Sequence, residues 1–394
     1  VAEGSHRPAW AEIDLGAIEH NASVISSIVA PARLCAVVKA DAYGHGAVAV
    51  ARAALVGGAT ELAVALVDEG VELRDSGIEA PILVLAEPGP DAMPEAFAYR
   101  LTPTLYTPEG IALAGETSAL RAGNSCVPVE VKVDTGMHRV GVDADALVAL
   151  VRSLVEVPAL ELGGLWTHFA VADEPDNPFT VQQLECFARA RDSLRAAGLP
   201  EPRRVHAANS AGAIAWPEAR FDMVRCGISL YGYAPSPVLG PTLEEATLAA
   251  GWSPGEGLRP ALSWIARVSL VREIEAGERV SYGLRQPLKA RSFVATVPLG
   301  YADGIPRAFF TGGGEVLVNG RRRRLAGSVT MDQILLDCSD DGAVAVGDEV
   351  VLIGEQGGEQ VTAEDWAKAL DTISYEVVTR IGTRVPRSYR SRRW

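Results

Sequence analysis

Paired cysteines are missing from this chain. Its 394 residues hold five, Cys35, Cys126, Cys186, Cys226 and Cys338, an odd number, widely spaced, mostly inside apolar runs and never as C-x-x-C. That excludes a disulfide framework, points to no metal site, and suits reduced core thiols in a cytoplasmic protein. A basic surplus is lacking as well. The net charge is −14 and the isoelectric point near 5.0, which argues against nucleic acid or an anionic membrane as partner, since both recruit a positive face. No apolar run is long enough to cross a bilayer, and no signal-peptide pattern opens the chain. No G-x-G-x-x-G follows the first buried strand, so the dinucleotide fingerprint is absent. What remains is a well-buried globular protein, 48% hydrophobic with a mean hydropathy of +0.13, long enough for two domains. The opening V-A-E-G-S-H has no initiator methionine and reads as a processed end.

The stretch from Arg33 to Gly46, R-L-C-A-V-V-K-A-D-A-Y-G-H-G, organises the rest. Leu34 to Val38 has the length and β-branched content of a buried strand, and it delivers Lys39 at its end. Tyr43 to Gly46 reads as a turn and Ala47 to Leu55 as a helix. In parallel α/β folds the C-terminal strand tip is where chemistry is placed. A lysine there is either a plain surface cap or a partly desolvated amine whose lowered pKa makes it a nucleophile or base. Comparable runs recur at Leu62 to Leu66, Ile82 to Leu85, Leu101 to Leu105, Val127 to Val133, Leu160 to Phe169, Arg204 to Ala207 and Met223 to Leu230, separated by helix-like stretches. About eight strands alternating with helices predict a (β/α)8 barrel of the TIM type, with a doubly wound sheet as the alternative.

Upstream, Ala9 to Leu15 alternates as a short strand, and a helical pattern follows through Ile18, Ile25 and Ile28. After Tyr233 the chain turns rich in proline and glycine, which reads as a domain connection. Beyond Pro260 short strands are predicted at Leu262 to Ile274, Arg279 to Tyr282, Phe293 to Pro298, Val316 to Val318, Ile334 to Leu336 and Glu349 to Ile353. One clear helix, Thr362 to Leu370, opens with a capping box of Thr362 and Asp365. Arg321 to Arg324 follows Asn319-Gly320, a hairpin signal, and reads as an ion-paired edge strand. The predicted architecture is a barrel over residues 9–245 followed by a mainly β domain over 246–394.

A barrel brings its strand tips to one face, and here they offer Lys39, Lys132 with Asp134, His168, His206 with Asn209 and Ser210, and Arg225 with Gly227. Any one of these is an ordinary strand-end residue. The set, with Arg139 nearby, is strongly cationic inside an acidic protein and calls for an anionic ligand. Asn209-Ser210-Ala211-Gly212 opens a short helix after the seventh strand and Gly227-Ile228 follows the eighth, the usual phosphate position of such barrels, which a sulfate or sugar phosphate would fit equally well.

A-V-V-K-A-D-A-Y-G-H-G closely resembles the lysine motif of bacterial alanine racemases. Further matches run from about Ala9 to Tyr389, including Ser281-Tyr282-Gly283, Met331-Asp332-Gln333 and K-V-D-T-G-M-H-R. The resemblance implies pyridoxal 5′-phosphate (PLP) as cofactor, bound covalently by Lys39, and a homodimer that shares its two active sites. It also implies that the strand near Ala9 to Asp14 packs with the C-terminal domain. Two bases are implied, because one immobile base would return a proton to the face it left: Lys39 for D-alanine and Tyr282 of the partner subunit for L-alanine. His168 would link Tyr282 to Arg225, with His206 extending the chain. Arg225 stands where most PLP enzymes place a carboxylate against the ring nitrogen; an arginine keeps its own proton and leaves a weaker electron sink. Arg139 is implied to contact the cofactor hydroxyl and the substrate carboxylate, the Met331 amide the same carboxylate, and Tyr301 to narrow the entrance. Tyr43 and Tyr375 are implied to lie near the phosphate, beside Asn209, Ser210, Gly227 and Ile228 of the strand tips. Lys132 matches a lysine that can be carbamylated in relatives.

Two departures stand out. Cys226 replaces the usual proline after the arginine, and G-S-V-T-M-D-Q replaces G-R-I-C-M-D-Q. The implied activity is supply of D-alanine for peptidoglycan. The alternatives are a broader amino-acid racemase acting on serine, lysine or arginine, and a non-catalytic PLP carrier, which would be a barrel alone. A decarboxylase of similar build would carry a carboxylate where Arg225 stands.

Overall fold

A computed structural model describes residues 6–119, 126–338 and 344–390. The chain divides into two compact units: Ala17–Ala42 with Ala47–Pro260, and Val1–Gly16 with Tyr43–Gly46 and Ala261–Trp394. After β1 (Ala9–Asp14) come β2 (Arg33–Val37), β3 (Glu61–Val64), β4 (Ile82–Val84), β5 (Thr102–Leu105), β6 (Val127–Asp134), β7 (Val142–Asp143), β8 (Leu160–Trp166), β9 (Arg204–His206) and β10 (Met223–Cys226).

Strands β2 to β6 and β8 to β10 pair in parallel, in the order β5-β4-β3-β2-β10-β9-β8-β6, and the β5–β6 pairing closes them into the eight-stranded barrel that the apolar runs predict. The two-residue β7 is an annex on β6. Both faces of such strands are covered, which is why β3 is buried at every position. The helices supply the outer cover through one apolar stripe each. Leu147, Leu150, Val151 and Leu154 are the buried positions of helix Leu147–Val155, spaced as a helical face requires.

Past the end of β2, the chain at Lys39 enters a turn that begins before the expected one at Tyr43 to Gly46. Ala40, Asp41, Ala42 and Tyr43 all have φ between 51° and 53°, so the chain makes a left-handed helical turn with no glycine in it. Each such residue costs roughly 1–2 kcal/mol. Local bonds offset part of this: Ala42 N donates to Val38 O at 2.9 Å, Ala40 N to Glu69 Oε1 at 2.6 Å, and Ala47 N to Asp41 Oδ1 at 2.7 Å.

The second unit is built from β11 (Leu262–Arg267), β12 (Leu270–Ile274), β13 (Ser292–Val297), β14 (Glu315–Val318), β15 (Arg321–Arg324), β16 (Ile334–Asp337), β17 (Glu349–Gln356), β18 (Glu359–Val361) and β19 (Arg387–Arg390). A seven-stranded sheet runs β15-β14-β17-β11-β1-β19 with β18 on β17, and a second sheet runs β12-β13-β16. β1 pairs antiparallel with β11 and parallel with β19. The segment Leu262 to Ile274 is two strands, one in each sheet.

Arg279 to Tyr282 is no strand. It makes one isolated bridge, Arg279 to Pro287, and Ser281 then turns to φ 64° with its Oγ donating to Ser328 O at 2.6 Å. The four arginines do form an edge strand: Asn319 and Gly320, at φ 54° and 71°, make the hairpin turn, and Arg322 pairs with Glu315, Glu359 and Asp365. Thr362 and Asp365 exchange the two capping bonds at 3.0 Å each. Among the described residues no helix is long and apolar enough to cross a membrane.

Candidate active site

Side chains alternate along a strand, so in V-P-V-E-V-K-V-D the residues Glu130, Lys132 and Asp134 share one face of β6. Arg204 and His206 share one face of β9 in the same way. Four neighbouring strands thus send polar groups into the barrel, and Arg225, 3% exposed, lies at their centre. Its Nη1 donates to His206 Nδ1 at 2.6 Å. Its Nη2 reaches Thr167 O at 2.8 Å, Ala207 O at 3.1 Å and His168 Nδ1 at 3.2 Å. No carboxylate touches it, and its Nε has no partner among the described residues. Burial brings its pKa down to about 10, still a cation at neutrality.

Trp166 is the floor of this cluster. Its ring stacks on His206 at 5.7 Å and 14°, and it carries the Arg225 guanidinium 4.5 Å and the Lys132 ammonium 4.7 Å from its centroid. Burial, and after it the crowding of cations, shifts the groups gathered here. Burial, then the charges of Arg225 and Arg139, lowers Lys132 to about 7. Burial first and Arg225 next hold His168 well below the ordinary histidine range. Lys39 is half-buried and its pKa is lowered by burial and by Arg139, with Glu69 opposing. Neither lysine has a hydrogen bond or ion pair through Nζ among the described residues.

Loops are held by specific acceptors. Asp134 Oδ1 takes the N–H groups of Gly136, Met137 and His138 at 2.9–3.1 Å, which fixes the loop that presents the exposed Arg139. Asn209 caps the helix Ser210–Ala215 by accepting from Gly212 N at 2.9 Å, and Ser210 Oγ accepts from Gly227 N at 3.0 Å, tying the seventh and eighth strand tips together. Ile228 opens the next helical turn.

The remaining expected site residues belong to the other unit. Tyr43 and Tyr375 face each other with ring centroids 6.1 Å apart. Tyr301 N donates to Thr330 O and Ala302 N to Met331 O, at 2.9 and 3.0 Å, so Tyr301 and Met331 sit on one loop pair. Tyr282 is 72% exposed and Met331 52% exposed, high values for a phenol and a thioether.

Sequence reasoning passed over Glu130, Trp166 and Gln183. Alternation on β6 between Lys132 and its i−2 neighbour was the available signal for Glu130; Trp166 stands two residues before His168 on the same logic. Gln183 lies on a helix, where its Nε2 donates to His168 O and its Oε1 accepts from Ala170 N, at 3.0 and 2.9 Å. Nothing local in the sequence announces that clamp.

Comparison with known proteins matches this geometry from end to end. Residues 13–235 match the family profile "Alanine racemase, N-terminal domain" and residues 261–389 "Alanine racemase, C-terminal domain". Alanine racemase of Symbiobacterium thermophilum is 46% identical over 97% of both chains, and that of Thermobifida fusca 42% identical over 97% of this chain and 98% of its own. The crystal structure of the Bacillus anthracis alanine racemase with bound L-Ala-P superposes with a TM-score of 0.88 at 37% identity, covering 98% of this chain and 96% of that one. A histidine racemase from Leuconostoc mesenteroides superposes at 0.84 with 31% identity, covering 98% and 99%. With both domain profiles matched and relatives this similar over nearly the whole length, the chain belongs to the alanine racemase family, isomerases that interconvert the two enantiomers of alanine.

Proposed function

We propose that this chain racemises alanine with PLP and two bases, Lys39 for D-alanine and Tyr282 of the partner subunit for L-alanine, in a homodimer whose two sites each draw on both copies. Arg225 carries the reading. A buried cation with only neutral acceptors around it, and with its Nε–H not engaged by any of them, is suited to donate to a ring nitrogen that has no proton of its own. The unpartnered, half-buried Lys39 amine fits the covalent attachment, so the residues present suit the cofactor.

When bound, the cofactor supplies an electron-withdrawing ring that acidifies the α-hydrogen of the amino acid. Arg225 would hold its ring nitrogen; Asn209, Ser210, Ile228, Tyr43 and Tyr375 would hold its phosphate, with Gly227 shaping the loop. Arg139 and the Met331 amide would orient the substrate carboxylate. Lys39 Nζ takes or returns a proton on one face, and its lowered pKa raises the neutral fraction able to do so. Tyr282 Oη serves the other face, with His168 passing the influence of Arg225 to it. Tyr301 narrows the mouth against bulky side chains, although a methylene or two is worth only about 1–3 kcal/mol of discrimination. The D-alanine made would feed peptidoglycan.

A broader substrate range is the second reading, favoured by the structural match to a histidine racemase. Both readings are tested on the purified protein by its absorbance before and after borohydride, with peptide mapping of the adduct. A visible band fixed to Lys39 by reduction is expected, with exchange between D- and L-alanine abolished in Lys39→Ala and cut severely in Tyr282→Phe. Absence of a band even after PLP is added back sinks both. Assays with serine, lysine, arginine and histidine beside alanine separate the narrow reading from the broad one.

A further inference from the structure

We propose that Glu130 is a positioning residue of this site: it fixes His206 in one tautomer and, through that ring, gives Arg225 its counter-charge. The proposal rests on the role given to Arg225 above. A guanidinium can only donate, so the nitrogen of His206 that faces it at 2.6 Å, Nδ1, must accept. The ring proton then sits on Nε2, which donates to Glu130 Oε2 at 2.8 Å. The imidazole is held between the cation and the anion, and its orientation cannot reverse without losing one of the two bonds.

Glu130 itself is fully buried, at 0% exposure, and its other oxygen takes Arg204 Nη2 at 2.9 Å. Arg204 Nη1 in turn donates to Glu61, 3% exposed. From the N-terminal ends of β3 and β9 to the opposite tips, the barrel interior therefore carries one line of groups: Glu61, Arg204, Glu130, His206, Arg225, His168. The formal charges alternate along it and cancel between Glu61 and Arg225.

If Glu130 served only to neutralise Arg204, Glu61 would suffice, and a second buried carboxylate would add desolvation cost without gain. Its second oxygen is instead spent on His206. The neighbouring strand makes room for the buried carboxylate: a Cβ on Gly164 would lie 2.6 Å from Glu130 Cδ and 2.7 Å from Oε1, the oxygen that takes Arg204. Gly164, directly across from Glu130 in the β6–β8 register, leaves out a side chain where the carboxylate lies.

Long-range proton–nitrogen NMR of the holoenzyme labelled with ¹⁵N-histidine, with His206 assigned by its loss in His206→Gln, tests this. The wild type is expected to show one neutral tautomer, protonated on Nε2; an Nδ1–H ring or an averaged pair overturns the proposal. In Glu130→Gln a single carbonyl oxygen must serve both Arg204 and His206, so Nε2–H loses its acceptor to the cation, the single-tautomer signature gives way to an averaged one, and kcat falls about 10- to 100-fold with KM for alanine little changed, as loss of a charge-assisted bond predicts. Gly164→Ala, which keeps the charge but displaces the carboxylate, gives the same pair of changes and decides the matter if Glu130→Gln does not fold. A merely structural Glu130 would lower the unfolding midpoint while leaving tautomer and kcat as they were, and that result overturns the proposal. A wild type with the Nε2–H ring but no racemase activity would instead sink the functional reading alone.

Discussion

Arg225 Nη1 donates to His206 Nδ1 at 2.6 Å, while Nη2 of the same guanidinium spans Thr167 O, Ala207 O and His168 Nδ1. One planar fork thus binds the tips of two strands and both histidines. Lysine has the charge but a single ammonium, which cannot reach all four acceptors in one plane. Arg225→Lys should fold and bind the cofactor, yet lose about 10- to 100-fold in kcat for alanine, since each charged hydrogen bond is worth about 1.5–3 kcal/mol. Steady-state kinetics in both directions checks this; kcat within twofold of wild type would contradict it.

Lys132, brought down to about 7 by burial and by Arg225 and Arg139, is an amine that is substantially neutral at physiological pH. Only a neutral amine adds carbon dioxide, and the anion so formed would relieve the repulsion among Lys132, Arg225 and Arg139. Carbamylation of Lys132 should therefore appear as a carbonyl resonance in protein equilibrated with ¹³C-bicarbonate, rise as pH increases through 7, and vanish in Lys132→Arg. A resonance that persists in that variant belongs to another amine.

The barrel was legible because each strand is an apolar run, such as Leu62 to Val64 or Ile82 to Val84, that burial on both faces demands. The site was legible where a charged residue interrupts such a run, as Lys132, His206 and Arg225 do. Trp166 looked like ordinary core because its ring serves as a platform without changing the apolar pattern. The left-handed turn after Lys39 could not be read at all. Of Ala40, Asp41, Ala42 and Tyr43 only the aspartate is a residue that visits positive φ readily, and the conformation of the run is held by bonds to Glu69 and Val38 that only the fold supplies. Arg279 to Tyr282 misled for the opposite reason: its alternation suits a strand, but the Ser281 hydroxyl finds Ser328 O and turns the chain away.

His168 and His206 both sit below the ordinary histidine range, chiefly from burial. The unfolded chain takes up protons on these rings near pH 6.5 and the folded chain does not, so stability falls as pH drops below that point. Each ring steepens the slope by at most about 1.4 kcal/mol per pH unit. Glu130, depressed by His206 and Arg204 despite its burial, acts in the same sense only below the ordinary carboxylate range, and Glu61, raised by burial, opposes just above it. The urea midpoint should decline from pH 7 to pH 5.5, and less so in His168→Gln. An unchanged slope in that variant would mean that His168 is not held neutral.

Gly46 combines two demands. Its φ is 97°, and a Cβ there would stand 1.8 Å from Tyr389 Oη. Gly46→Ala should cost about 1–3 kcal/mol for the conformation and a similar amount for the overlap. Adding Tyr389→Ala removes the overlap and leaves the backbone term, so the double variant should unfold at higher urea than Gly46→Ala alone. Equal midpoints would place the whole cost in the backbone.

Tyr282 is 72% exposed, an unusual place for a base unless another chain covers it. If each site takes Lys39 from one copy and Tyr282 from the other, two inactive proteins can repair each other. Mixing Lys39→Ala with Tyr282→Phe and allowing subunits to exchange makes about half of the dimers mixed, and each mixed dimer holds one site with both bases intact and one with neither. Activity should rise from the parental background to about a quarter of wild type at equal mixing. Were both bases drawn from the same copy, every site in the mixture would lack one of them, and exchange would restore nothing. Recovery on mixing, measured from D- to L-alanine and in reverse, therefore distinguishes a shared site from a self-contained one without any need to see the dimer.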